Sequence, residues 1–243
     1  MSRVAGTAKR KNKMPGKRIK EAIKLVDRKK KYRLSEAVEI LKKFPKAKFD
    51  ESVDLSIKLG VDPKHSDQMV RGTVALPHGS GKKVRILVFA DGEQATAARN
   101  GGAEHVGFKE LIQKVKDGWF EFDVVIATPT AMQEVRKLGK ELGPKGLMPN
   151  PKTGTVTEDI AKAVKEFKAG RVEFKLDKAA NLHVSVAKLS FEGRQIEENA
   201  RAALEAIVKA KPTAAKGNYL ENVVLSATMS PGVPIDIKEF IVA

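Results

Sequence analysis

The sequence contains no cysteine, only 5% aromatic residues and no long apolar run. The lack of cysteine excludes disulfides and thiolate metal ligands, and it is compatible with a reducing compartment. No stretch approaches the roughly 18 apolar residues of a spanning helix, so we expect no membrane contact. We expect no signal peptide, because the N-terminal region has no apolar core. The histidines lack metal-ligand spacing, which predicts no metal site: His65, His78, His105 and His183.

The fingerprints of nucleotide-binding enzymes are also missing. Gly79-Ser80-Gly81-Lys82-Lys83 looks like part of a phosphate-binding loop, but Leu76 stands in place of its first glycine and Lys83 in place of Ser or Thr. No G-x-G-x-x-G follows Ala90, and no serine lies in a nucleophile elbow. We therefore predict no catalytic residue and no cofactor. A nucleotide-dependent enzyme remains the alternative hypothesis, because the central strands and helices described below can also support such a site.

Positive charge is the feature that the sequence has in excess, and it is concentrated at one end. The formal net charge is +16, of which residues 1–33 hold +12 with 14 Lys and Arg. A basic arm of this kind predicts a polyanionic partner, most often nucleic acid. The alternatives are a solubilising tail, a non-specific nucleic-acid binder and a mitochondrial presequence. An excess of lysine over arginine and the lack of an apolar helical face before Ile19 argue against the presequence.

The outer parts of the chain show helical and period-two patterns. Residues 1–16 predict a disordered arm, followed by a helix from Lys17 and a second helix with Ser35 as its N-cap. Alternating apolar and polar residues predict strands with one buried face. These strands lie at about 49–59, 69–76, 172–176, 182–186 and 219–229, and a long amphipathic helix lies at about 193–210.

The middle of the chain has a different pattern of apolar residues. Residues 84–90 and 122–127 are near-continuous apolar runs, as expected of strands that are covered on both faces. Predicted helices at about 92–100, around Leu111 to Val115, from Pro129 and at about 158–168 alternate with these strands. The alternation predicts a parallel sheet with helices on both faces, which is a Rossmann-like β/α arrangement.

The two sequence patterns together predict a protein of mixed α+β and α/β class in which one domain is discontinuous. A split β-α-β-like α+β domain, residues 17–78 and 171–243, is interrupted by the β/α domain, residues 79–170. The chain crosses between them twice, at glycine-bearing segments, which predicts a hinge at Gly79, Gly81 and Gly170.

A loop rich in proline and glycine, residues 143–156, lies near the end of the insert. Its prolines fix φ and remove amide donors, which predicts a shaped, largely extended loop that presents Lys145 and Lys152 outward. A plain surface connection is the alternative. Loops of this length without secondary structure are usually functional or disordered, and this composition argues against disorder.

This loop, Gly143-Pro144-Lys145-Gly146-Leu147-Met148-Pro149-Asn150-Pro151-Lys152-Thr153-Gly154-Thr155-Val156, resembles the signature of the L-one family of ribosomal proteins. The resemblance runs from about Lys17 to Gly232 and is of the bacterial type. Further agreeing stretches follow in order: Ala47-Lys48-Phe49-Asp50, Asp67-Gln68, Val70-Arg71-Gly72-Thr73, Leu76-Pro77-His78-Gly79, Ala169-Gly170-Arg171 and Ala227-Thr228-Met229.

The resemblance implies a protein of the large ribosomal subunit in the cytoplasm, monomeric when free, whose discontinuous domain binds rRNA at the mobile stalk. It also implies help in the release of deacylated tRNA from the exit site, and repression of its own operon through binding of the mRNA. The implied rRNA contacts are Lys48, Phe49, Ser52, Lys175, Asp177, Thr228, Met229, Ser230 and Gly232, with Lys145 and Lys152 as loop contacts on the insert. Ser230 and Asn222 depart from the family pattern, which usually has glycine and serine there.

Overall fold

The computed structural model describes residues 16–27, 29–215 and 217–241, without the side chains of Ser66, Lys152 and Ile241. The predicted basic arm, up to residue 15, lies outside the described residues. The α-helices are α1 (Lys17–Lys24), α2 (Leu34–Lys43), α3 (Gly92–Asn100), α4 (Lys109–Lys116), α5 (Met132–Val135), α6 (Gly139–Leu142), α7 (Ile160–Lys168), α8 (Gly193–Lys209) and α9 (Lys238–Ile241). The strands are β1 (Ser52–Leu59), β2 (Arg71–Ala75), β3 (Ile86–Phe89), β4 (His105–Gly107), β5 (Val124–Ala127), β6 (Arg171–Lys175), β7 (Asn181–Lys188), β8 (Leu220–Ala227) and β9 (Val233–Ile235).

A four-stranded antiparallel sheet in the order β7-β1-β8-β9 forms the centre of the outer segments. Strand β1 alternates between buried and half-buried residues, as its period-two sequence predicts. Its apolar face packs with α2 and α8, whose buried side chains include Leu41 and Leu204. Its polar face carries Ser52, Asp54, Ser56 and Lys58.

The strands of the middle segment form a parallel sheet in the order β4-β3-β5. Helix α4 buries Leu111 and Val115 on one face of this sheet, and α7 buries Val164 and Phe167 on the other. Strand β3 is fully buried, as expected of a strand covered on both faces. The predicted parallel β/α arrangement and the mixed α+β class are therefore confirmed.

Buried apolar residues fall into three clusters. One cluster draws on positions 22–76 and 174–240, whereas the other two, on opposite faces of the parallel sheet, draw on positions 86–167. The two crossings between these regions lie side by side, because Leu76 N–H donates to the Gly170 carbonyl at 3.3 Å. Arg171 adds a link, since its guanidinium donates to Thr73 Oγ1 at 2.8 Å and pairs with Glu166.

Several local predictions were wrong. The second helix begins at Leu34 with Arg33 as its N-cap, so Ser35 lies inside the helix. Pro129 lies in a turn that is closed by the bond from Ala131 N–H to Thr128 Oγ1, and α5 begins only at Met132. The last long strand stops at Ala227, and β9 and α9 were missed.

Strand β9 was missed because Pro234 interrupts its pattern, and proline is read as a strand breaker away from a sheet edge. Here Pro234 lies in the last strand of the sheet, where its carbonyl accepts from Tyr32 N–H at 3.0 Å. The sequence analysis assigned no role to the segment after Pro234. This segment buries Ile237 and Phe240 in the apolar cluster formed by positions 22–76 and 174–240. Within the described ranges, no helix has the length and apolarity to cross a bilayer.

Candidate nucleic-acid interface

The polar face of the four-stranded sheet carries several small and hydrogen-bonding side chains. Strand β1 contributes four polar residues to it, and the paired positions of β7 and β8 add more. Ser56 Oγ contacts His183 Nδ1 across the strands at 3.1 Å. Hydroxyl, amide and imidazole groups of this kind suit the 2′-OH groups and base edges of RNA. The residues from the two neighbouring strands are Asn181, His183, Asn222 and Ser226, and Ser185, whose hydroxyl oxygen is buried.

At one end of this face, two segments distant in sequence are held together by the start of β1. Ser52 N–H donates to Thr228 Oγ1 at 3.0 Å, and Thr228 N–H donates to the Ser52 carbonyl at 3.0 Å. The loop that follows β8, residues 228–232, is called the apex loop below. The structure therefore brings together the predicted contacts Lys48, Phe49, Ser52, Thr228, Met229, Ser230 and Gly232.

Two large apolar side chains at this end face solvent. Phe49 is 54% exposed and Met229 is 49% exposed, whereas most large apolar residues of this region are buried. Lys48 and Thr228 beside them are exposed as well. An exposed aromatic ring offers a stacking surface to an unpaired base, and methionine adapts its shape to irregular contacts.

The other two residues of the apex loop that the sequence predicted as contacts have internal roles. Ser230 Oγ accepts from Ala227 N–H at 2.9 Å, so its hydroxyl completes the turn after β8. Gly232 lies against Val224, because a Cβ at this position would be 2.5 Å from Val224 Cγ1. Both residues shape the loop that presents Met229.

Asp177 lies at the opposite end of the four-stranded sheet, whereas Lys175 ends β6, which pairs with β2 in a separate two-stranded sheet. Asp177 N–H donates to the Asn181 carbonyl, and Asn181 is paired with Lys58 on β1. That position is six residues from Ser52, or about 20 Å along the strand. A ligand that touches both Ser52 and Asp177 must therefore span about 20 Å.

Asp177 organises the turn at this far end. Its carboxylate accepts from Asn181 N–H at 2.7 Å and from Ala179 N–H at 2.8 Å. The Asn181 N–H bond, with smaller help from the others, lowers the pKa of Asp177 below its ordinary value. The carboxylate is therefore ionised at neutral pH, and it is hydrogen-bonded to backbone groups of its own turn. Lys175, two residues earlier, is exposed.

An open groove of about 1070 Å³ lies at the same end, and sequence reasoning missed it. Its walls come from five separate segments of the chain, so its lysines are widely spaced in the sequence. Two of its carboxylates are hydrogen-bonded to backbone, Asp62 to Lys64 N–H and Asp236 to Lys238 N–H. The groove is lined by the lysines Lys31, Lys58, Lys64, Lys178 and Lys238.

The loop at 143–156 is folded more tightly than predicted. Turns at 143–146 and a 3₁₀ helix at Pro151–Thr153 flank four residues without regular secondary structure, so the prediction of a largely extended loop was wrong. The reason is a buried hydroxyl pair: Thr153 Oγ1 lies 3.0 Å from Thr155 Oγ1, and both donate to the Asn150 carbonyl. These bonds draw the chain into a turn.

The two loop lysines differ in what the structure describes. Lys145 is exposed, and its Nζ lies 3.3 Å from the centroid of the Phe120 ring. The Lys152 side chain lies outside the described residues.

The three predicted hinge glycines all have positive φ, namely 70° at Gly79, 68° at Gly81 and 109° at Gly170. In the described part of the chain, no three His, Cys, Asp or Glu side chains cluster as metal ligands.

A sheet with one buried face, one polar face and solvent-facing Phe and Met side chains at its end has the properties of an RNA-binding surface. The model of the Ribosomal protein L1p/L10e family matches residues 41–231 of this chain. The chain belongs to this family. Members of the family are constituents of the large ribosomal subunit that bind rRNA, so the chain is such a protein and is located in the cytoplasm.

Proposed function

We propose that the chain binds a helical region of large-subunit rRNA at the mobile stalk through the polar face of the sheet and the apex loop. The observation that carries this proposal is the exposure of Phe49 and Met229 next to the paired backbones of Ser52 and Thr228. Exposed apolar side chains that are held by neighbouring hydrogen bonds are prepared for a partner. The lysine groove at the far end supports contacts with the phosphate backbone.

The proposal also assigns different roles to the discontinuous domain and to the insert. The domain formed by 17–78 and 171–243 binds rRNA, while the insert, 79–170, moves about Gly79, Gly81 and Gly170. The separate buried clusters support this division, because none draws on both regions. The insert assists release of deacylated tRNA from the exit site, and Lys145 and Lys152 on its loop contact other components of the stalk. The exposed Lys145 supports this part.

The same surface serves regulation in this proposal. A free copy of the protein binds a similar fold in its own operon mRNA and represses translation. In this proposal rRNA and mRNA bind the same surface, so they should compete for the protein. Adding the mRNA segment should displace a labelled stalk-rRNA fragment at a concentration set by its own affinity. Simultaneous binding of both RNAs would contradict the regulatory role.

A competition experiment tests the binding function itself. Stalk-rRNA fragment and duplex RNA of equal length compete for the intact protein at constant salt. We expect a clear preference for the stalk fragment. Equal affinity for the two RNAs would favour the non-specific basic binder, and saturable micromolar binding of a mononucleotide without RNA preference would favour the enzyme alternative.

Two single variants place the site within the chain. Met229→Ala should weaken binding of the stalk fragment by about 1–3 kcal/mol, the range of a truncated side chain that dominates an interface. Lys145→Ala should cost much less, because the loop at 143–156 contacts other components of the stalk. A larger effect of Lys145→Ala would place the rRNA site on the insert.

A further inference from the structure

The residue immediately before β1, Glu51, carries a buried carboxylate beneath the exposed end of the sheet. Glu51 is only 2% exposed. Its Oε2 accepts from Met229 N–H at 2.9 Å, and its Oε1 accepts from Ala47 N–H at 2.9 Å. One carboxylate thus holds the backbone of the apex loop and of the segment that leads to Phe49.

A guanidinium from the N-terminal helix completes the arrangement. Arg18 on α1 pairs with Glu51 through Nη1 at 3.4 Å, and its Nη2 donates to the Met229 carbonyl at 3.1 Å. The N–H and the C=O of Met229 are therefore both bound by a single ion pair. Arg18 lies outside the residues that match the family, whereas Glu51 lies within them.

Fixing the backbone on both sides of a solvent-facing methionine restricts where its side chain can point. The Met229 side chain remains 49% exposed although its peptide groups are satisfied internally. A buried carboxylate is costly to desolvate and contributes little net stability even when paired. Its value here lies in geometry, since pre-ordered contact residues lose less entropy when the partner binds.

We propose that Glu51 and Arg18 are positioning residues that pre-order Phe49 and Met229 for RNA, and that α1 is thereby part of the binding site. The inference rests on the proposed rRNA-binding function. Neither residue needs to touch the RNA: Glu51 is covered by protein, and Arg18 acts through the Met229 carbonyl and the Glu51 carboxylate.

Charge-changing variants separate positioning from direct electrostatic contact. Glu51→Gln removes a negative charge, which would tighten RNA binding if only long-range electrostatics mattered. It also leaves an amide where two backbone donors need acceptors. We expect Glu51→Gln and Arg18→Ala each to raise the Kd of the stalk-rRNA fragment on the order of tenfold. The double variant should be little worse than either single one, because the residues act as a unit.

The salt dependence decides the role of Arg18. A side chain that neutralises one phosphate contributes roughly 0.7–0.9 to the slope of log K against log salt. We expect Arg18→Ala to leave this slope unchanged while Kd rises. Arg201→Ala is the matched control, because Arg201 pairs with Glu197 at the same 3.4 Å distance on α8, away from the polar face. It should change neither Kd nor slope.

Three results would overturn the inference: unchanged or tighter binding by Glu51→Gln, unchanged Kd for Arg18→Ala, or a salt slope in Arg18→Ala that falls by the amount of one phosphate. Folding of each variant is checked by thermal unfolding. If Glu51→Gln does not fold, Arg18→Ala decides alone, because it leaves the carboxylate with its two backbone donors. A wild-type protein without preference for the stalk fragment would instead refute the proposed function.

Discussion

The buried side chain of Asn199 on α8 binds the first crossing of the chain at Gly79. Its Nδ2 donates to the Gly79 carbonyl at 2.9 Å and to the Val186 carbonyl at 2.8 Å. Its Oδ1 accepts from His78 N–H at 3.0 Å. Asn199 therefore connects the crossing at residues 78 and 79 to α8 and to Val186 on β7.

Asn199→Ala should destabilise the protein by about 1–3 kcal/mol for each backbone group left unsatisfied, since buried donors and acceptors lose their partners. Chemical unfolding monitored by circular dichroism measures the change. Asn100→Ala, at an exposed helix end, is the control and should stay within about 0.5 kcal/mol of wild type. An Asn199→Ala variant as stable as this control would show that water replaces the amide.

Gly170→Ala should destabilise more than Gly118→Ala. Both glycines have positive φ, 109° and 94°, so both substitutions incur a strain of about 1–2 kcal/mol. At Gly118 nothing lies near the added Cβ, whereas at Gly170 it would be 2.4 Å from Gly79 Cα. The difference in unfolding free energy isolates the close approach of the crossings, and we expect about 1–3 kcal/mol. Equal losses would mean that the crossings separate easily.

Removing residues 81–169 and joining 80 to 170 by a short linker should leave a folded protein that still prefers the stalk fragment. The two ends are adjacent, and the outer buried cluster takes no residue from the deleted segment. Cooperative thermal unfolding and the RNA competition measure the two properties. A truncated protein that folds but no longer binds would place the site on the insert.

Deleting residues 1–13 should lower affinity at low salt and leave the preference among RNAs intact. The segment contains five Lys and Arg without apolar periodicity, which is typical of non-specific binding to phosphates. Each phosphate that the shortened protein no longer neutralises should reduce the salt slope by roughly 0.7–0.9. A variant without discrimination between stalk and duplex RNA would show that the arm recognises shape.

Asp177→Asn should abolish a pH-dependent part of the stability. The pKa of Asp177 is lowered below its ordinary value of 3.8, mainly by the Asn181 N–H bond. A depressed carboxylate pKa contributes stability that is present above the unfolded-state value and is lost as pH falls through the folded-state value. The stability difference between wild type and variant should thus be constant above about pH 5 and shrink below about pH 4. A constant difference throughout would contradict this assignment.

Much of the fold followed from patterns along the chain. Alternation in β1 predicted which residues face the core, because strand side chains point to opposite faces by covalent geometry. The continuous apolar runs at 84–90 and 122–127 predicted parallel strands, because such strands are covered on both faces. Short elements with mixed signals were missed, such as β9 with Pro234, because their existence depends on a neighbouring strand.

The candidate site was predictable only where residue type or family resemblance carries the signal. The resemblance selected Phe49 and Met229, and the polar residues of β1 followed from period two. Glu51 has no distinguishing neighbour in the sequence, and the lysines of the groove are separated by up to about 200 positions.

By itself, the sequence determined the class of the fold, the basic end and the family resemblance, since these depend on composition, periodicity and local motifs. Only the tertiary structure decided which carboxylate is buried, that Arg18 reaches the Met229 carbonyl 211 residues away, and that Asn199 holds the crossing. The physical reason is that burial and hydrogen bonding between distant segments depend on the packing of whole elements, which no local pattern encodes.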